Sequence, residues 1–182
     1  MQLPLPTLEQ ALPGREIPVQ VSEAHFVNGN PIKPPFKGDV EIADFALGCF
    51  WGAERKFWEI DNVYSTAVGY MGGFTPNATY EEVCSGLTGH TETVRVFYKP
   101  DLVDYKILLK TFWEAHNPTQ GMRQGNDIGT QYRSAIFTHS SVQKKLADES
   151  MKIFTLQLKD HGFSDITTQI IEGNEFFYAE DY

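Results

Sequence analysis

The sequence predicts an α+β fold of the ferredoxin-like kind, a split βαβ two-layer sandwich in which helices cover one face of a sheet. Hydrophobic patterns give the order strand, helix, strand, strand, helix, strand over residues 42–138, followed by an extra helix and strand at the C-terminal end. Seven of the ten prolines fall within the first 40 residues, and proline fixes φ and removes a backbone donor. We therefore expect residues 1–40 to form an irregular arm packed on a single α+β domain, residues 41–182. The arm is expected to contact that domain through Leu3, Leu5, Leu12 and Phe26.

Each element is predicted from its own pattern. A nearly continuous apolar run at residues 42–47 predicts a buried strand, and Phe50, Ala53 and Phe57 then recur at helical spacing. Residues 91–98 alternate as a strand does, whereas the polar, glycine-studded stretch at 119–132 predicts a long functional or mobile loop. The other predicted elements are strands at 63–70, 134–138 and 166–171, and helices at 80–84, at 104–116 and from Ser140 onward.

Composition narrows the classes of function. The 182 residues carry 15 Lys and Arg against 24 Asp and Glu, a net charge of −9, whereas a protein that binds duplex nucleic acid needs a basic surface. The sequence has two cysteines, no signal-peptide pattern and no long uncharged apolar run. These features predict a protein of the reducing cytoplasm, without a disulfide scaffold or a membrane span. The five histidines lie far apart, so no metal site is predicted.

Cys49 is the first candidate for chemistry, because it stands where a predicted strand meets a predicted helix. The free N–H groups and the dipole at a helix N-terminus favour a thiolate and lower the thiol pKa. Gly48 and Gly52 allow a tight turn and the close approach of a substrate. Phe50 and Trp51 place two rings beside the sulfur. The alternative is an inert core cysteine packed against core rings.

Glu92 is the second candidate. The period of two along its predicted strand puts it on the same face as Val94 and Val96. If that face is the buried one, burial raises the carboxyl pKa and keeps the group neutral near pH 7, able to donate a hydrogen bond or a proton. The alternative is a strand-end carboxylate that tilts into solvent.

Further polar side chains are weaker candidates. The hydroxyls of Tyr80 and Tyr132 could act as donors, with a half-buried structural tyrosine as the alternative in each case. Asp127 is by default a turn residue. The acidic pair at residues 180–181 is predicted to be solvated surface.

Two other classes of function stay open at this point. One is a Cys/His acyl-transfer enzyme, in which His90 serves as the base for Cys49. The other is a non-catalytic module that binds oxidised or apolar peptides through Phe50 and Trp51. Spacing alone does not choose among the histidines as a partner for the cysteine.

Several blocks of the sequence together resemble the A-type peptide methionine sulfoxide reductases, the methionine-S-sulfoxide reductases. The blocks follow the family's order from about residue 41 to the end of the sequence. They are GCFWG at 48–52, GYMGG at 69–73, TYEEVCSG at 79–86, GHTE at 89–92, QGMRQGND at 120–127, GTQYRS at 129–134 and YAEDY at 178–182. So many blocks in one order are not explained by chance.

The resemblance implies a reaction centred on Cys49. Its thiolate would attack the sulfur of methionine-S-sulfoxide, free or in proteins, so that methionine leaves and Cys49 becomes a sulfenic acid. Neutral Glu92, with the hydroxyls of Tyr80 and Tyr132, would bind the sulfoxide oxygen and supply the proton. The implied function is the repair of oxidised proteins.

The resemblance also implies the substrate contacts and the reductant. Phe50 and Trp51 would hold the S-methyl group, and Asp127 would support the substrate side of the pocket. The protein would act as a monomer without a bound cofactor, on oxidised peptides and proteins. An external thiol, thioredoxin or dithiothreitol, would return the enzyme to its reduced form.

Recycling is where the sequence departs from the family. Family members usually carry resolving cysteines in a glycine-rich C-terminal tail, and this sequence ends at Tyr182, before such a tail. Either the sequence is part of a longer chain, or an external thiol attacks the sulfenic acid directly. Cys84 would resolve it only after substantial movement, because nothing in the sequence places it beside Cys49.

Overall fold

The computed structural model describes residues 4–181, so Leu3 and Tyr182 lie outside the described residues. The predicted mixture of helices and strands is confirmed, and a sheet forms the centre of the fold. In chain order the elements are β1 (Glu41–Ala46), α1 (Phe50–Trp58), β2 (Val63–Met71), α2 (Tyr80–Cys84), β3 (Thr91–Tyr98), α3 (Tyr105–Ala115), β4 (Arg123–Gln124), β5 (Asp127–Ile128), a 3₁₀ turn (Thr130–Tyr132), β6 (Ala135–Thr138), α4 (Ser141–Asp160), β7 (Gln169–Glu172) and β8 (Phe177–Tyr178).

Within the described residues the main sheet has the strand order β7-β6-β1-β3-β2-β8. β3 pairs antiparallel with both β1 and β2, and β6 pairs antiparallel with β1. β7 pairs parallel with β6, and β8 pairs antiparallel with β2. Phe45 lies opposite Val94, which brings the end of β1 beside the start of β3. The chain that leaves β1 toward α1 therefore passes close to the first residues of β3.

The helices cover one face of this sheet. Phe45 of β1 stacks on Phe57 of α1 at 5.0 Å between ring centroids and on Phe112 of α3 at 5.5 Å. Val94 and Val96 of β3 belong to the same buried cluster. Burying these apolar surfaces is the main favourable contribution to folding, roughly 1.5–3 kcal/mol for each large side chain. This face is the one that the alternation along β3 assigns to Glu92.

The arm and the C-terminal segment cover the other face. Phe36 of the arm packs against Phe97 of β3, with 4.8 Å between ring centroids. Ile32 of the arm and Phe176 of the C-terminal segment are buried in the same cluster. The arm is also tied down through its backbone, since the N–H of Leu12 donates to the carbonyl of Leu87 at 2.9 Å.

The expected contact through Phe26 is wrong, because that side chain is fully exposed. Its neighbour His25 faces the domain instead and contacts Thr66 of β2. Phe26 is the first residue of the turn at 26–28, which the N–H of Gly29 closes by donating to the carbonyl of His25 at 2.9 Å. Leu5 is also exposed, whereas Leu12 is half-buried.

The predicted loop at residues 119–132 is more ordered than its composition indicates. β4 and β5 form a two-stranded hairpin within it, and the 3₁₀ turn carries Tyr132. Two-residue strands are too short to produce a hydrophobic period, which is why the pattern missed both them and β8. The last long strand is β7 (Gln169–Glu172), three residues later than the predicted start.

The 20-residue helix α4 is amphipathic rather than apolar. Among its residues only Gln143 and Ala147 are buried. The side chain of Ser140 accepts a hydrogen bond from the N–H of Gln143 and so begins the helix where predicted. Across residues 4–181, no helix combines the length and the apolar character needed to cross a bilayer.

Candidate active site

Cys49 lies at the strand-to-helix junction, as predicted. It is exposed, and it directly precedes Phe50, the first residue of α1. Gly48 has φ +98°, and a Cβ there would lie 2.7 Å from Cγ of Gln124, so this corner requires glycine. Gly52 lies inside α1, and a Cβ there would meet no protein atom within 4 Å, so the turn itself does not depend on this glycine.

Glu92 is buried on the helix-covered face, with 1% of its surface exposed. The backbone N–H of Phe50 donates a hydrogen bond of 3.0 Å to its Oε2 atom. Its Oε1 atom is buried and has no hydrogen-bond partner among the described residues. Burial raises the pKa of Glu92 to about 7, the hydrogen bond from Phe50 opposes that rise, and the negative charge of Asp127 adds to it. Near neutral pH a large fraction of this carboxyl is therefore protonated.

The pKa of the Cys49 thiol is raised, and the predicted lowering is wrong. Partial burial of the sulfur is the largest cause of the rise, and the N–H groups of Trp51 and Gly52 act against it. Negative charge on Glu92 and on Asp127 raises the pKa further. The helix N-terminus is present as predicted, but desolvation and two carboxylates outweigh it. Protonation of Glu92 removes one of these opposing charges.

The two candidate hydroxyls lie beside this pair. Tyr80 begins α2 and is about one-third exposed, and its hydroxyl donates to the sulfur of Cys84, which raises the pKa of the hydroxyl. Burial, and then the charge of Glu92, raises the pKa of Tyr132. Both hydroxyls thus stay protonated and can donate hydrogen bonds.

The structure brings the predicted polar residues into one region. Negative charge on Glu92 acts on four neighbouring groups: Cys49, Tyr80, Cys84 and Tyr132. Asp127, on the exposed strand β5, acts in turn on Glu92 and Cys49. Asp127 is therefore more than a turn residue, since its charge reaches both reactive groups.

The two predicted aromatic residues differ in their surroundings. Phe50 is buried, with its ring centroid 5.8 Å from that of Tyr70. Trp51 is 64% exposed, so its ring lies at the rim of the candidate active site and not inside it. A substrate that covered Trp51 would remove that apolar surface from water.

Sequence reasoning missed the residues that hold the site's loops. The carboxylate of Glu180 accepts the backbone N–H of Tyr80 at 3.1 Å, so the pair at 180–181 is not merely solvated surface. Gln124 exchanges two hydrogen bonds with the backbone of Asn117 and so fixes the β4–β5 hairpin over Gly48. No sequence pattern joins residues 100 positions apart, which left Glu180 without a signal.

His90 is not placed to act as a base for Cys49. Its Nδ1 accepts the N–H of Gly73 at 3.0 Å, and its Nε2 donates to the carbonyl of Thr75 at 2.7 Å. The ring is 2% exposed, and burial lowers its pKa. Both nitrogens are therefore committed to the loop before α2, which argues against the acyl-transfer alternative.

A cavity of about 520 Å³ adjoins these residues and shares Phe50, Trp51 and Tyr80 with them. A cavity of this size is within the usual range for ligand sites. In residues 4–181, no group of three or more His, Cys, Asp and Glu side chains is arranged to hold a metal ion.

An exposed cysteine at a helix N-terminus, beside a buried carboxyl that is partly neutral, defines the site of a thiol-dependent enzyme. Comparison with known proteins adds the family. Residues 41–182 match the model of the family described as peptide methionine sulfoxide reductase. The chain therefore belongs to this family, whose members are oxidoreductases that reduce methionine sulfoxide.

Individual relatives agree with the family model. The chain is 61% identical to the peptide methionine sulfoxide reductase MsrA of Ectopseudomonas mendocina, over 100% of this chain and 83% of the relative. It is 58% identical to MsrA of Rippkaea orientalis, with the same two coverages. The solved structure of methionine sulfoxide reductase A of Corynebacterium diphtheriae matches with a TM-score of 0.91 and 41% identity, over 98% of this chain and 87% of that one.

Proposed function

We propose that this chain reduces methionine-S-sulfoxide, free or in proteins, through a sulfenic acid on Cys49 with acid assistance from Glu92. The physiological role would be the repair of oxidised proteins. One observation carries the proposal: the N–H of Phe50, next to Cys49 in the chain, donates to the buried carboxyl of Glu92 at 3.0 Å. This bond holds a nucleophile and a proton donor at the same helix end.

The reaction transfers one oxygen atom. The Cys49 sulfur bonds to the sulfoxide sulfur, and the methionine sulfur–oxygen bond breaks. The protonated oxygen then adds to the Cys49 sulfur as the sulfur–sulfur bond breaks, which leaves methionine and a sulfenic acid on Cys49. Methionine sulfur gains two electrons, and the Cys49 sulfur loses two. Glu92 donates its proton to the sulfoxide oxygen and recovers one from the thiol, so the net proton count does not change.

The other residues bind the substrate in this proposal. Tyr80 and Tyr132 donate hydrogen bonds to the sulfoxide oxygen together with Glu92, and the Tyr80 hydroxyl turns from Cys84 to the substrate to do so. The buried ring of Phe50 and the exposed ring of Trp51 contact the S-methyl group, and Asp127 supports the far side of the pocket. The unpartnered Oε1 of Glu92 supports this arrangement, since a buried polar atom gains free energy from a partner.

An external thiol completes the cycle without a bound cofactor. The thiol attacks the sulfenic acid, water leaves, and a mixed disulfide forms. A second thiol then releases reduced Cys49, so a dithiol such as thioredoxin or dithiothreitol serves both steps. In this proposal the protein acts as a monomer in a reducing cytoplasm, where Cys49 and Cys84 stay free thiols.

We also propose the finer classification of the fold. The four strands β6-β1-β3-β2 follow the order and the antiparallel pairing of a ferredoxin-like split βαβ sandwich. Residues 4–40 then form the irregular arm of a single domain. The packing of Phe36 on Phe97 supports that assignment.

The experiment supplies N-acetylmethionine sulfoxide, racemic at sulfur, with excess dithiothreitol. We expect the S epimer to be consumed and the R epimer to remain, as followed by chiral chromatography. Cys49→Ser should abolish the reaction, whereas Cys84→Ser, the matched cysteine control, should retain it. Equal consumption of both epimers, or an active Cys49→Ser variant, would contradict the proposal.

A further inference from the structure

The cavity beside α1 has aromatic walls and reaches the candidate sulfoxide site. Seven Phe, Trp and Tyr rings line it: Phe26, Phe50, Trp51, Trp58, Tyr70, Tyr80 and Tyr178. Three of these, Phe50, Trp51 and Tyr80, belong to both sites. A polypeptide with its oxidised methionine at Cys49 could therefore place a neighbouring side chain in this cavity.

Carboxylates supply the charge of the cavity. Glu54, Glu180 and Asp181 line it, and no lysine or arginine of residues 4–181 does. Glu180 accepts the N–H of Tyr80, and Oδ2 of Asp181 accepts the N–H and the hydroxyl of Ser22. These bonds orient the carboxylates but do not neutralise them.

The one histidine that lines the cavity is neutral. Nδ1 of His25 accepts the backbone N–H of Val27 at 3.1 Å, so its proton is on Nε2. Nε2 then donates to Oγ1 of Thr66 at 2.6 Å, and the Thr66 hydroxyl donates to Oε1 of Glu54 at 2.9 Å. This chain of hydrogen bonds fixes the carboxylate of Glu54 and brings no positive charge to it.

We propose that this cavity binds a cationic side chain, lysine or arginine, of the polypeptide that carries the methionine sulfoxide. The inference rests on the proposed function. Aromatic faces attract an ammonium or guanidinium group and also contact its apolar stem. Among the described residues no lysine or arginine pairs with these three carboxylates, so they supply the negative charge that complements such a group.

The same surroundings reject other side chains. An apolar side chain would cover the half-buried carboxylate of Glu54 without compensating its charge, which costs free energy. An acidic side chain would add a fourth negative charge. We therefore expect the cavity to favour a basic side chain of the substrate over an apolar one, and an apolar one over an acidic one.

Matched peptides test this order. Each contains one methionine sulfoxide and, at one of the three positions on either side, lysine, norleucine or glutamate. We expect at the best position a kcat/KM about tenfold higher for lysine than for norleucine, and lower again for glutamate. Equal values for the three side chains at every position would overturn the inference.

Glu54→Gln isolates the charge, because glutamine keeps the volume and can still accept the Thr66 hydrogen bond. We expect the ratio of kcat/KM for lysine over norleucine to fall toward one. Glu81→Gln, an exposed carboxylate on α2 outside the cavity, should keep the wild-type ratio and so control for net charge. An unchanged ratio in Glu54→Gln would overturn the inference.

Added salt gives a readout that needs no variant. The wild-type preference for lysine should shrink as potassium chloride is added, because salt screens charges. A preference that does not respond to salt would contradict the assignment to charge. The proposed function fails separately, if the wild type reduces none of the peptides.

Discussion

The backbone N–H of Phe50 donates a hydrogen bond of 3.0 Å to Oε2 of Glu92. Phe50 is the first residue of α1, so the helix end that follows Cys49 also holds the carboxyl. Negative charge on Glu92 raises the pKa of Cys49, which disfavours an anion on both groups at once. The pair therefore works with one proton held by the carboxyl when the sulfur is ionised.

The activity of Glu92→Gln as a function of pH should show whether this proton takes part in the reaction. Glutamine donates a hydrogen bond at every pH but has no proton to transfer. We expect the ratio of wild-type to Glu92→Gln kcat/KM to be constant below about pH 7 and to fall above it, because Glu92 then loses its proton. Stopped-flow measurement of single-turnover rates across pH gives the ratio.

Glu92→Ala serves as the control for that profile. It removes the hydrogen-bond donor as well as the proton, so we expect a loss of about 100-fold or more at neutral pH. An alanine variant as fast as the wild type would remove Glu92 from the mechanism. If the ratio of wild-type to Glu92→Gln kcat/KM does not change with pH, the ionisation of Glu92 has no effect on the reaction rate.

The ionisation of Glu92 should also make the free energy of unfolding depend on pH. The pKa of Glu92 rises from 4.5 to about 7 on folding, so the native state binds more protons between these values and the free energy of unfolding falls as pH rises. Glu92→Gln has no such ionisation. When the pH is raised from about 4 to about 8, the free energy of unfolding of the variant should therefore increase, relative to that of the wild type, by up to about 3 kcal/mol. Urea unfolding at both pH values measures it, and Glu81→Gln should show no comparable gain.

Two glycines beside Cys49 should respond oppositely to alanine. Gly48→Ala combines a φ of +98° with the overlap on Gln124, and we expect it to lose about 2 kcal/mol or more of stability. Gly52→Ala lies within α1 in open space and should gain about 0.5–1 kcal/mol. Thermal unfolding compares the two variants. Equal losses of stability would contradict the claim that the turn before Cys49 requires glycine at position 48 and not at position 52.

The main features of the fold and the nucleophile could be predicted because they rest on local patterns. The run at 42–47 and the helical spacing after it locate Cys49 at the end of a helix. The alternation around Glu92 gives its buried face, since burial of Val94 and Val96 requires it. Such signals need only a few consecutive residues.

The rest depends on contacts that no short pattern encodes. The pKa of Cys49 is raised by desolvation, by Glu92 and by Asp127, and the β4–β5 hairpin is what brings Asp127 close. In the arm, His25 rather than Phe26 faces the domain, because His25 forms a hydrogen bond with Thr66 of β2. Glu180 supports Tyr80 from the opposite end of the chain.

The most direct test of the central claim is mass analysis of the protein after one turnover. The reduced protein, mixed with one equivalent of a methyl sulfoxide in the presence of dimedone and without a thiol, should carry one dimedone adduct, located on Cys49 by peptide mapping. Glu92→Ala should form the adduct much more slowly. Sulfide product without an adduct on Cys49, or an adduct on Cys84 alone, would contradict the account.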